Sequence, residues 1–91
     1  MRDIFDLIEE NNLEEVKKLI EEGIDVNMKD KWGNTPLHWA ILENNTKIVK
    51  LLIENKADMN LQNDNGYAPL HYAIVKNNTK MIELLKQHGA K

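Results

Sequence analysis

Apolar residues recur along the chain at positions i, i+3 and i+4, which is the spacing of one face of a helix. Leu37, Ala40 and Ile41 form one such stripe, and Val16, Leu19 and Ile20 form another. Polar turn-forming residues separate the stripes. The pattern predicts short amphipathic helices in pairs. The two helices of the middle pair are expected at about Pro36–Glu43 and Thr46–Asn55.

A nine-residue segment, residues 33–41, recurs as residues 66–74, which is 33 positions further on. Each copy begins with a glycine, which suits a turn that needs a positive φ. Thr35 is a favourable N-cap, and Pro36 suits the first helical position. His38 stands three residues after Thr35, where its ring nitrogen can complete a capping box. The segment therefore predicts a turn followed directly by a helix.

The 33-residue period divides the chain into three units, at about residues 1–31, 32–64 and 65–91. Such a period indicates stacked repeats, each burying the apolar flank of its neighbour. We expect each helix pair to lead into an extended arm, as at 24–28. Lys56 stands where a helix should end in a left-handed conformation, and Ala68 replaces the capping threonine.

Thr-Pro-Leu-His at 35–38, within a 33-residue period, resembles the ankyrin repeat, and the resemblance covers the whole chain. It implies an all-α fold: an ankyrin-repeat solenoid of stacked helix-turn-helix units with β-turn arms, in one domain of residues 1–91. It also implies binding of other proteins through the arm tips and the concave face of the first helices. The second arm begins with Asn63 where the first has Asp30, and we expect this to weaken one arm contact slightly.

Carried over residue by residue, the resemblance implies a partner-binding surface in the middle and last units. This surface comprises Lys31, Trp32, Asn34, Leu42 and Glu43, and then Asp64, Asn65, Tyr67, Val75 and Lys76. Glu9 and Glu10 are the equivalents in the first unit. Protein interfaces favour aromatic anchors, so Trp32 either contacts a partner or folds back over the neighbouring arm. Trp39 and Tyr72 are expected to pack between adjacent first helices.

Both ends of the array carry polar residues at positions that are apolar in the middle unit. Glu15 and Lys18 replace apolar residues in the first unit, and Lys86 replaces Ile53 in the last. Terminal repeats need a polar outer face because no neighbour covers them. The pattern is typical of a complete array with an N-terminal cap, one internal repeat and a C-terminal cap. A fragment of a longer array is the alternative.

Composition narrows the possible environments of the chain. Its 91 residues suit one small domain, and the absence of cysteine excludes disulfides and thiolate metal sites. The N-terminal segment is acidic and amphipathic, unlike a signal peptide. No apolar run approaches the roughly 18 residues that a membrane-spanning helix needs. We therefore expect a soluble, cytoplasmic protein without membrane association.

The net charge of −3 is unevenly distributed. Residues 1–31 hold ten acidic and five basic side chains, a net charge of −5, and residues 32–91 carry +2. General affinity for nucleic acid needs a basic stripe, so it is not expected. The acidic first unit is either a solvated face or a surface that steers a basic partner.

No pattern of catalytic or cofactor-binding residues is present in the sequence. His38 and His71 are expected to lie one repeat apart, roughly 10 Å, which is too far to share a metal ion. The sequence contains neither a catalytic triad nor a glycine-rich phosphate loop. We expect no enzymatic activity, no cofactor and no metal.

The leading functional hypothesis is a small, monomeric module that binds a protein partner without catalysis. A second hypothesis is an engineered or minimal scaffold without a dedicated partner. Residues 32–58 and 65–91 are identical at 13 of 27 aligned positions, which favours diverged natural repeats over a consensus design. A third hypothesis is weak self-association between the acidic first unit and the mildly basic last unit, which salt should weaken.

Overall fold

A computed structural model describes residues 3–90 of the chain. Within that range the backbone forms six α-helices and no strand. The helices are α1 (Ile4–Glu9), α2 (Leu13–Glu21), α3 (Pro36–Leu42), α4 (Thr46–Glu54), α5 (Pro69–Val75) and α6 (Thr79–Gln87). Met1, Arg2 and Lys91, at the limits of the expected domain, lie outside the described residues.

Side-chain caps begin five of these six helices. At α1, Asp3 accepts from the backbone N–H of Asp6 at 3.0 Å, and Asp6 accepts in return from Asp3. At α3, Thr35 and His38 form the predicted capping box. Ala68 makes no side-chain hydrogen bond at the start of α5, so the loss of a cap predicted for the last unit is confirmed. The second helix of each unit is capped by an asparagine side chain: Asn12, Asn45 and Asn78.

Left-handed residues end the helices where the sequence places asparagine, glycine or lysine. The asparagines after each first helix have positive φ: Asn11 (58°), Asn44 (55°) and Asn77 (54°). Gly23 has φ of 93°, and Lys56 has φ of 71° at the corresponding position of the middle unit. A side chain in this conformation costs roughly 1–2 kcal/mol. The predicted helix ends at Glu43 and Asn55 are the C-cap residues that follow α3 and α4.

The three first helices stack side by side, with α3 between α1 and α5, while α2 packs against α4. Leu37 and Leu70 hold the same position in α3 and α5, and both are buried. Ile8 and Ile41 are buried at matching positions of α1 and α3. The predicted translation by 33 residues is therefore the organising relation of the fold.

The segment after α2 differs from the extended arm predicted for residues 24–28. The side chain of Asp25 accepts from the N–H of Asn27 at 2.9 Å, and the N–H of Met28 donates to the Asp25 carbonyl at 3.2 Å. Asn27 in turn accepts from the N–H of Asp58 in the next unit at 2.7 Å. The aspartate closes a local turn because its short carboxylate reaches the backbone two residues ahead.

The terminal units expose the polar residues of their second helices, but the last unit also exposes an apolar residue. Glu15, Lys18 and Lys86 are exposed, as the capping pattern predicts. Ile74 in α5 is also 54% exposed, although Ile41 at the same position of α3 is 1% exposed. The third unit therefore has a polar flank at α6 and an apolar one at α5.

Candidate functional site

The first arm, residues 30–34, is a tight turn held by one aspartate. Oδ1 of Asp30 accepts from the backbone N–H groups of Trp32 and Asn34, both at 2.9 Å. Its other oxygen, Oδ2, accepts from the indole Nε1–H of Trp39 at 2.7 Å. A single carboxylate thus closes the turn and fastens it to α3.

The second arm, residues 63–67, uses an asparagine for the same purposes. Oδ1 of Asn63 accepts from two backbone N–H groups of the turn at 2.9 and 3.0 Å, the farther one belonging to Tyr67. Its Nδ2 donates to the hydroxyl of Tyr72 at 2.7 Å and to Oδ1 of Asn34 at 2.8 Å. At this position, where a slightly weaker arm contact was expected, both turn bonds remain and the amide adds a bond to the first arm.

The two arms are also joined through their backbones. The N–H of Asp64 donates to the carbonyl of Trp32 at 3.0 Å. Gly33 has φ of 79°, and a Cβ at this position would lie 2.8 Å from the backbone nitrogen of Asp64. Glycine is therefore needed here both for the turn conformation and for the close approach of the second arm.

His38 connects the middle unit to the second arm from within the core. Its Nδ1 accepts from the N–H and the hydroxyl of Thr35 at 3.0 and 2.8 Å, and its Nε2–H donates to the carbonyl of Tyr67 at 2.7 Å. These three bonds use both ring nitrogens of the neutral imidazole. Burial lowers the pKa of His38, although the hydrogen bond to Tyr67 acts in the opposite direction. The histidine is structural.

The arm tips present two aromatic side chains to solvent. Trp32 is 53% exposed, with its ring centroid 6.3 Å from that of Trp39, and Nζ of Lys31 lies 4.5 Å from the Trp32 ring. Tyr67 is 37% exposed and stacks on His71 at 3.8 Å. Each ring contacts neighbouring side chains and still leaves a large part of its surface uncovered.

The ten residues of the expected binding surface differ in accessibility. Those exposed are Lys31, Trp32, Asp64, Asn65, Tyr67, Val75 and Lys76, and those half-buried are Leu42 and Glu43. Asn34 is 7% exposed, and its side-chain oxygen accepts from Asn63. The side chain of Asn34 therefore contacts the second arm and forms part of the junction between the two arms.

An open cleft of about 610 Å³ lies between α1 and the first arm. Half-buried Phe5, Met28 and Trp39 contribute apolar surface, and exposed Trp32 stands among the lining residues. Three acidic residues of the α1 segment, which we call the acidic ridge, line one part of the cleft: Asp3, Asp6 and Glu9. The rest of the lining is charged as well and comprises Lys29, Asp30 and Lys31.

The sequence alone did not predict this cleft, and of the acidic ridge only Glu9 was expected at the surface. The spacing of three residues between Asp3, Asp6 and Glu9 is a signal that was available, because such positions lie on one side of a helix. The neighbouring aromatic residues come from the arm and from α3, and only the fold brings them to this ridge.

Residues 3–90 contain no group of three or more His, Asp or Glu side chains arranged to hold a metal ion. They likewise contain no helix with the length and apolar character needed to cross a bilayer.

Comparison with known proteins places the repeats in a family. Residues 4–91 match the family model described as ankyrin repeats, in three copies. The chain is 52% identical over 40 residues to acyl-CoA-binding domain-containing protein 6 of Bos taurus, which is 43% of this chain and 14% of that protein. It is 56% identical over 32 residues to acyl-CoA-binding domain-containing protein 1 of Arabidopsis thaliana, which is 35% of this chain and 10% of that protein. The matched segments are thus small parts of these relatives. With the match to residues 4–91, the chain belongs to the ankyrin-repeat family.

Proposed function

We propose that this domain binds a protein partner through its arm tips and the concave side of its first helices, without catalysis. Ankyrin repeats are generally protein-interaction modules, and the family match covers residues 4–91. The proposed surface consists of the exposed and half-buried residues described above: Lys31, Trp32, Leu42, Glu43, Asp64, Asn65, Tyr67, Val75 and Lys76. Asn34 contributes by holding the two arms together.

The observation that carries this proposal is the exposure of Trp32 and Tyr67 on arms whose backbones are already hydrogen-bonded. Large aromatic side chains contribute strongly to protein interfaces. Little conformational entropy remains to be lost when such an arm binds, because the turn, the arm junction and the supporting helix are already ordered. An exposed aromatic residue on an ordered turn therefore contributes more to binding a partner than to the stability of the domain.

The experiment is capture of partner proteins from a cell extract by immobilised domain, followed by affinity measurement with the protein identified. We expect Trp32→Ala and Tyr67→Ala to weaken binding at least about fivefold, since an anchor residue contributes more than about 1 kcal/mol. Their melting temperatures should stay close to that of the wild type. Lys47→Ala, an exposed residue of α4, is the control and should bind normally.

Two outcomes would contradict this proposal. One is capture that is unchanged by both aromatic substitutions. The other is a loss of stability large enough to account for weaker capture by Trp32→Ala, which would make Trp32 a packing residue.

Self-association is a second candidate function, favoured by the exposed apolar side of α5. Ile74 and Val75 are 54% and 66% exposed, and the net charge of −5 on residues 1–31 is opposite in sign to the rest of the chain. Sedimentation velocity at low and high salt tests it. A dimer held by this charge difference should dissociate as salt rises, whereas a monomer at all salt concentrations excludes it.

Acyl-CoA, the ligand in the names of these relatives, fits this domain poorly. Its phosphate groups are anionic, whereas the cleft beside α1 is lined by the acidic ridge and by Asp30, with only Lys29 and Lys31 as basic residues. Like charges repel, so an anionic ligand would be disfavoured in this cleft.

A further inference from the structure

We infer that the cleft between α1 and the first arm binds an arginine side chain carried by a segment of the partner protein. This inference rests on the proposed function and specifies the chemistry that the partner presents at one part of the surface. The cleft measures about 610 Å³, within the range typical of ligand-binding clefts.

The charges of the cleft favour a cation. Asp30 has both carboxylate oxygens engaged by the arm and by Trp39, so it is occupied structurally. The acidic ridge remains as the exposed source of negative charge on the opposite side. Asp3 and Asp6 each use one oxygen in the capping box, which leaves the other oxygen of each carboxylate outside that box.

The two basic residues of the lining are already directed to other groups. Nζ of Lys29 donates to the carbonyl of Gln62 at 3.0 Å, towards the following unit. Nζ of Lys31 lies 4.5 Å from the ring of Trp32, which shows that this indole accepts a cation in the folded chain. A partner's cation would meet the same aromatic surface and would compete with Lys31.

The combination of indole rings and carboxylates favours arginine over lysine. A guanidinium group is planar, stacks on aromatic rings and can bond to a carboxylate with two parallel N–H groups. An ammonium group offers only a compact charge. Trp39 is held in orientation by its bond to Asp30, and Trp32 stands next to it, so the aromatic side of the cleft is formed before binding.

The test uses a peptide of alternating glycine and arginine, with lysine and citrulline versions as matched probes. Citrulline keeps the shape of arginine without its charge. The only two tryptophans of the chain line the cleft, so intrinsic fluorescence reports directly on occupancy. We expect a saturable change with the arginine peptide, at least about threefold weaker binding with lysine and none with citrulline.

Variants measured by calorimetry separate this site from general attraction to an acidic protein. Glu9→Gln should weaken binding of the arginine peptide about threefold, and Trp32→Ala about fivefold or more. Lys31→Gln should tighten it about twofold, because it removes a competing cation from Trp32. The controls Glu54→Gln and Lys47→Gln make the same charge changes at exposed positions outside the cleft and should have smaller effects.

Equal binding of the arginine and lysine peptides would overturn the inference, as would equal effects of Glu9→Gln and Glu54→Gln. If Trp32→Ala abolishes capture of an identified partner but the arginine peptide gives no saturable response, the arginine site is overturned while the proposed function stands. If the peptide binds with the expected variant pattern but partner capture is unchanged by both arm substitutions, the cleft does bind arginine, but the proposed function fails and so does the assignment of that arginine to the partner.

Discussion

The two arms perform the same structural task with different side chains, and the difference follows from hydrogen-bond chemistry. Asp30 accepts from Trp39, whereas Asn63 donates to Tyr72. An indole N–H can only donate, so its partner must be an acceptor. A phenol hydroxyl can both donate and accept, so it tolerates either residue. The first arm therefore requires its aspartate more strictly than the second arm requires its asparagine.

The arms also differ in what lies beyond them. The first arm is covered by the second, which donates hydrogen bonds to Asn34 and Trp32 across the junction. The second arm also accepts one hydrogen bond, from the ring of His38. A Cβ at Gly66 would meet nothing within 4 Å among the described residues, in contrast to one at Gly33. Identical positions in the repeat thus have different energetic roles depending on whether a neighbour follows.

The largest expected difference between the arms concerns these two glycines. Both have positive φ, so alanine should cost about 1–2 kcal/mol at either position. Gly33→Ala also places a methyl group against Asp64, which should raise its total cost to about 3 kcal/mol. Chemical denaturation of the two variants measures the difference. Equal destabilisation would mean that the arms are not in close contact in solution.

The next largest effect concerns the residue that begins each arm. In Asp30→Asn the single amide oxygen is needed by the turn, so an NH₂ group faces the indole N–H of Trp39 and the bond to Trp39 is lost. The free energy of unfolding should fall by about 1–2 kcal/mol. Asn63→Asp should cost less, because the Tyr72 hydroxyl can turn from acceptor to donor and the Asn34 amide can flip so that its NH₂ group faces the new carboxylate. Denaturant titration of both variants tests this difference.

The double variant Asp30→Asn with Trp39→Tyr serves as the control for that prediction. It recreates in the first arm the amide–phenol pairing of the second arm, so it should recover part of the stability lost by Asp30→Asn. No recovery, or equal losses for Asp30→Asn and Asn63→Asp, would show that the polarity of this bond is not what distinguishes the arms.

A smaller effect is expected at the helix caps beside the arms. Thr35 caps α3 through its hydroxyl, and Ala68 cannot cap α5. Ala68→Thr should raise the free energy of unfolding by about 1 kcal/mol, and Thr35→Ala should lower it by a similar or larger amount. Thermal melts compare the two. An unchanged melting temperature for Ala68→Thr would indicate that threonine does not cap in this motif.

The smallest expected effect is a pH dependence at the junction of the arms. Burial lowers the pKa of His38 from its ordinary value of 6.5, so the unfolded chain binds a proton first as pH falls. The stability contributed by neutral His38 is therefore complete above about pH 6.5 and is lost as pH falls through the lowered pKa. We expect His38→Gln, which does not titrate, to lose less stability than the wild type between about pH 7 and pH 5. Denaturation at stepped pH measures both slopes, and equal slopes would contradict the prediction.

Local features of the fold were predictable because they depend on residues close together in the chain. Thr35 and His38 lie within one helical turn, and their reciprocal capping follows from that spacing. Asn12 likewise caps α2 by accepting from the backbone N–H three residues ahead. The left-handed residues Asn11 and Lys56 were predictable by comparison of the units. The 33-residue period then indicated that these helix pairs stack.

The candidate site was only partly predictable. Exposure of Trp32 and Tyr67 followed from their place at the arm tips, and Asn34 was expected beside them. The burial of Asn34 depends on Asn63, 29 residues away, so spacing within one unit could not reveal it. The turn at Asp25 was missed because its closing bond was not considered, although the residues are adjacent.

The amino-acid sequence alone was sufficient to predict the helices, their caps, their repeat and the family resemblance. Each of these depends on short-range geometry or on a fixed period. The assembled stack decided which equivalent residues differ in role. It covers Ile41 and leaves Ile74 open, and it brings the acidic ridge of α1 beside Trp32. These properties arise from contacts between units, because the environment of a side chain depends on which neighbour packs against it.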